Sequence, residues 1–200
     1  MQVKQIGIVA VVASLLAGGA HAQVDAVFIA SSSTSEYDAS VYRAIWDEYG
    51  ERIVEALQAR TCMPFSESNV SAVVAEAVSN SGGPAHPMRL RASYARKIKQ
   101  STLVHELGHR HLWQLVERLD DVDGHMTLYL VLDEVWADVW GEEFAENRVQ
   151  GESGWHERYA DAWTWARSLG PEERAQLWNK LLTMNGFNSC DRLYSRAERS

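Results

Sequence analysis

His105 and His109 stand four residues apart, and Glu106 directly follows the first of them. On a helix this spacing stacks two imidazoles one turn apart on one face, so that a nitrogen of each can reach a single metal ion. Glu106 then lies beside the pair, placed to act on a metal-activated water rather than to bind the metal. Two neutral nitrogen ligands with an adjacent general base are the parts that metal-assisted hydrolysis requires.

The surrounding residues describe the helix that would hold them. Val104, Leu107, Leu112, Leu115 and Leu119 form an apolar stripe with the histidines at its edge, and Ser101 or Thr102 can cap the start. Gly108 costs about 1 kcal/mol in a helix interior relative to alanine, which predicts the close approach of another backbone beside the histidines. His111, two residues beyond His109, points to the other side of the helix and reads as a packed or surface residue.

A catalytic metal site takes three protein ligands and leaves a fourth position open. The extended motif with glycine at 112 and histidine at 115 is excluded, because both positions are leucine. Residues 126–147 read as the next long helix, with Leu128, Val131, Leu132, Val135 and Val139 on one face and Glu134 and Asp138 flanking it. Carboxylates at such a boundary need partners. Glu134 as metal ligand, with Asp138 accepting from the free ring nitrogen of a ligating histidine, would satisfy both. Asp138 as the ligand is the variant. A solvated acidic face, shared with Asp133, Glu142, Glu143 and Glu146, is the alternative.

The pairing of HExxH on one helix with ExxxD on the next resembles the gluzincins, the thermolysin-like clan of zinc peptidases. The match covers roughly residues 88–147 and falls on His105, Glu106, His109, Glu134 and Asp138. The resemblance implies one catalytic zinc ion on His105, His109 and Glu134, with Glu106 as general base and Asp138 orienting His105. It implies a zinc metallopeptidase acting on peptide or protein substrates. An oxyanion would need a further donor; His156 and Tyr159 are the candidates, with His125 and Tyr129 behind them. The competing readings are a non-catalytic zinc-binding scaffold and a zinc amidase acting on cell-wall peptides.

The whole chain bounds these readings. Its 200 residues suffice for one domain with a proper core, and a formal charge of −8 argues against nucleic acid or an anionic membrane as partner. Lys4, the apolar run 6–17 and Ala20-His21-Ala22 have the pattern of a signal peptide cleaved after Ala22. The expected product is a secreted or periplasmic protein without a stable membrane anchor. In an oxidising compartment the two cysteines, Cys62 and Cys190, are expected to form a disulfide.

The expected fold class is α+β and helix-rich. It is a single zincin-like domain over residues 23–200, with a small sheet packed on the motif helix and a Glu-bearing helix downstream. Strands are expected at 24–30 and 88–94, and helices at 38–60, 69–79, 155–169 and 172–184, with loops at 81–87 and 151–154. The 88–94 strand, alternating apolar and basic, is either an edge able to pair with an extended peptide or one guarded by Arg89 and Arg91. Asp120 to Gly124 reads as a solvated turn, since its spacing misses the calcium-loop pattern.

Overall fold

The computed structural model describes residues 24–83 and 85–190; the expected leader at 1–22 lies outside the described residues. Three strands, β1 (Asp25–Ala30), β2 (Asn69–Ala75) and β3 (Met88–Arg91), form an all-parallel sheet in the order β1-β2-β3. Phe28 pairs with Ala72 and Val74 with Leu90. These four residues, with Val70 and Met88, are buried on the face that carries the core. Helix α1 (Glu36–Thr61) makes the crossover from β1 to β2 and packs on β1, as a parallel connection requires.

The expected helix at 69–79 is therefore a strand. Val70, Ala72 and Val74 are buried while Asn69 and Ser71 are exposed, a period of two that the Val and Ala content also accommodates at helical spacing. β-branched valines favour the pleated form once a partner strand is present. The edge available to a substrate peptide is also closed. Arg89 exchanges both backbone hydrogen bonds with Asn80 at 2.9 Å, the Arg91 amide donates to Ser79 Oγ at 3.0 Å, and the Arg91 carbonyl accepts from Tyr42 Oη at 3.0 Å.

Beyond the sheet the chain is helical: α2 (Arg96–His111), α3 (Gly124–Tyr129), α4 (Leu132–Trp140), α5 (Glu142–Ser153), α6 (Glu157–Ser168) and α7 (Pro171–Met184). The single helix expected at 126–147 is three helices. Gly141, at φ +91°, both ends α4 and begins α5 in a conformation that favours glycine. α5 runs on to Ser153, into the loop expected at 151–154, which matters below because it carries Glu152. The α+β, helix-rich class is as the sequence indicates.

One apolar cluster joins all layers, with Tyr42, Tyr129, Trp136, Trp163 and Trp178 among its largest fully buried members. Cys62 at the end of α1 is bonded to Cys190 after α7, with Cα atoms 5.6 Å apart. Beside it, Trp178 Nε1 donates to the Thr61 carbonyl at 3.0 Å. Among the described residues no helix is long and apolar enough to cross a membrane.

Candidate metal centre

Helix α2 has no solvated side over most of its length; every residue from Lys99 to Gly108 is buried. Its two buried cations, Lys99 and Arg110, are partnered, as burial demands. Lys99 Nζ meets Asp38 at 2.8 Å and donates to the carbonyls of Ala92 and Tyr94. Arg110 pairs with Glu67 and donates to the Ser81 and His86 carbonyls at 3.0 Å. His111 is packed, stacked on Phe65 with Nε2 2.7 Å from Thr61 Oγ1, and burial pulls its pKa down to about 4.

Gly108 is where α3 comes in. A Cβ there would lie 2.6 Å from Leu128 Cδ1, so the close neighbour is a buried side chain of α3 rather than the backbone expected. The start of α3 is set by Asp123, whose carboxylate accepts from the Met126 amide at 2.8 Å. His125 thus falls in the first turn of α3, facing α2.

This packing brings His105, His109 and His125 together. Their candidate ligand nitrogens all lie within 4.8 Å of one another, and the three side chains form a group that can hold a metal ion. Ring centroids are 4.9 Å apart for His105 and His109, and 4.8 Å for His109 and His125. Nδ1 of His125 is buried without a hydrogen-bond partner among the described residues, the kind of orphaned polar atom that asks for an explanation.

Glu134 does not belong to this group. Its carboxylate pairs with Arg60 at 3.1 Å, and Asp138 takes the same guanidinium through a second pair of contacts, one of them 2.7 Å. The Glu-x-x-x-Asp face therefore clamps α4 to the last turn of α1, with Arg52 adding a bond to the Asp138 carbonyl at 3.2 Å. Both acids have the partner that partial burial requires, but that partner is an arginine rather than a metal or a histidine. Nor does Asp138 orient His105.

That role falls to Glu152 on α5. Its Oε1 accepts from Nδ1 of His105 at 3.2 Å, which leaves Nε2 of His105 free to bind a metal. Glu152 is 1% exposed, and its Oε2 also accepts from Tyr129 Oη at 3.2 Å and Trp163 Nε1 at 3.3 Å. Burial works against the charged form of His105, yet the charge and hydrogen bond of Glu152 outweigh it and hold His105 above its ordinary pKa. Burial together with the other histidines takes His109 well below its usual value and His125 to about 4. Both are kept as neutral imidazoles, the ligating form.

Glu106 is 7% exposed, and burial lifts its carboxyl to about 7. With His105 and Glu152 it lines a cleft of about 490 Å³, whose other walls include Tyr94, Thr102, Trp155 and Tyr159. The ring of Tyr159 is 4.8 Å from that of His125 and 6.2 Å from that of His105, and burial keeps its phenol protonated. His156 is not brought to the cluster. It caps α6, its Nδ1 accepting from the Arg158 amide at 3.1 Å.

His125 was legible only as a reserve donor, and Glu152 not at all. The one local signal for His125 is its place two residues after Asp123, a residue type that caps helices. No spacing rule points to Glu152. Compared with protein-family models, curated proteins and solved structures, the chain matches none.

Proposed function

We propose that the protein is an exported zinc-dependent hydrolase of peptide bonds, with zinc on His105, His109 and His125 and Glu106 as general base. The observation that carries this reading is the convergence of three imidazoles on one point beside a buried glutamate at the wall of an open cleft. Three histidines, with no cysteine or fourth ligand in the group among the described residues, fit a catalytic better than a structural zinc site. When bound, the ion supplies Lewis acidity to the scissile carbonyl and to water.

The chain's own residues do the rest. Glu106 takes a proton from the attacking water and delivers it to the leaving amine nitrogen. Glu152 holds His105 in the tautomer that presents Nε2. Tyr159, at the cleft wall with its ring 4.8 Å from that of His125, is the candidate donor to the oxygen on which charge develops. The Cys62–Cys190 bond supports export, since disulfides persist in oxidising compartments.

The decisive experiment is Glu106→Gln. The amide keeps the size of the side chain and cannot accept the proton. The variant should retain about one zinc per chain while chelator-sensitive hydrolysis of a mixed peptide library or of cell-wall peptide fragments falls by a factor on the order of 10² or more. Zinc retained with no hydrolysis by the wild type on any of these substrates would leave a metal-binding scaffold instead.

A further inference from the structure

Two buried polar groups beside the cleft are left over from this chemistry. Thr102 is 3% exposed and lines the cleft, and its Oγ1 makes no hydrogen bond among the described residues. It sits one turn before Glu106 on α2, about 6 Å along the helix axis. Arg148 on α5 donates from Nε to Ser101 Oγ at 2.9 Å and lies over the Trp155 ring at 5.5 Å. Its Nη2 is buried without a hydrogen-bond partner.

The contrast with the buried arginines is informative. Arg60, Arg110 and Arg174 each have a carboxylate: Asp138 with Glu134, Glu67 and Asp133 respectively. Arg148 forms no such ion pair among the described residues. Glu152, whose charge it feels, is committed to His105, Tyr129 and Trp163. A guanidinium nitrogen buried without an acceptor is costly, and a buried hydroxyl without a partner adds to that cost. A carboxylate is the ligand whose chemistry suits both, since it accepts from a guanidinium and from a hydroxyl.

We infer that Thr102 and Arg148 form a carboxylate subsite, and that the substrate is a peptide bearing a carboxylate on the residue just beyond the scissile bond. One helical turn from Glu106 is the reach of a single residue. Tyr94 and Trp155, stacked with centroids 5.7 Å apart, form the apolar wall for that residue. Trp155, 43% exposed, covers the guanidinium and is the side chain that shifts to admit the ligand. The carboxylate is either the free C-terminus of the peptide or the side chain of an acidic residue. The inference rests on the hydrolase reading for the position of the scissile bond, but binding to the subsite does not require turnover.

Binding is measured by calorimetry on full-chain Glu106→Gln protein with three N-acetylated tripeptides. These are one ending in phenylalanine as the free acid, the same peptide as the C-terminal amide, and an amide whose last residue is aspartate. The free acid should bind about tenfold or more tighter than its amide, and Arg148→Gln and Thr102→Val should each reduce that preference. A tighter aspartate amide would also support the subsite and assign it to a side-chain carboxylate. Equal binding of all three peptides, or a preference unchanged in Thr102→Val and in any Arg148→Gln that retains the wild-type circular dichroism, would overturn it. A carboxylate preference in a protein whose wild type shows no chelator-sensitive hydrolysis would defeat the hydrolase reading and leave the subsite standing.

Discussion

The carboxylate of Glu152 lies 3.2 Å from Nδ1 of His105, joining the end of α5 to the middle of α2 across the core. The bond fixes the ring and its tautomer while two further donors, Tyr129 and Trp163, hold the carboxylate itself. Glu152→Gln should therefore lower zinc affinity by about 10- to 100-fold, the usual cost of losing the partner of a ligating histidine. Competition against a chromophoric chelator measures it. Wild-type affinity in Glu152→Gln would show that the contact does not tune the site.

The third ligand separates two assignments of the same motif. His125→Ala should abolish stoichiometric zinc at neutral pH, whereas Glu134→Ala should keep it. Metal analysis of the two purified variants decides the matter, and zinc lost from Glu134→Ala but kept in His125→Ala would restore the acid as ligand.

Asp138→Ala should act on stability instead. Arg60 is nearly buried, but Glu134 and Asp138 keep 24% and 30% of their side-chain surface. The expected loss is about 2 kcal/mol, below the roughly 3–5 typical of a fully buried pair, because solvent screens part of the charge. Urea unfolding reports it. An unchanged midpoint would mean the clamp contributes nothing.

Gly108→Ala tests whether the approach of α3 positions His125. The added Cβ would meet Leu128 Cδ1 at 2.6 Å, and Leu128 is fully buried. Displacing Leu128 moves the helix that carries His125, so zinc affinity should fall even though alanine favours the helix by about 1 kcal/mol. Affinity equal to wild type would show that Leu128 yields without moving α3.

The disulfide closes a loop between residues 128 apart in sequence. In the chain-entropy account such a loop stabilises the fold by roughly 4–5 kcal/mol. Replacing both cysteines with serine should lower the denaturation midpoint accordingly, and two titratable thiols in wild-type protein purified without reductant would show that the bond does not form.

The sequence by itself determined what depends on a few neighbouring residues. His105, Glu106 and His109 share a face of α2 because helix geometry alone puts positions four apart together. The runs at 38–60 and 172–184 are long enough for their period to be read, and the sequence's two cysteines have one possible pairing with each other. Tertiary structure decided the rest, because it depends on what each segment meets. The 69–79 segment suits either period, and β1 made it a strand. A boundary carboxylate is satisfied equally by a metal or a guanidinium; α1 brought Arg60 to Glu134 and Asp138, so the metal-capable group closed on His125. Glu152 reaches His105 from α5, which starts afresh after Gly141, and no local spacing encodes a contact between residues 47 apart.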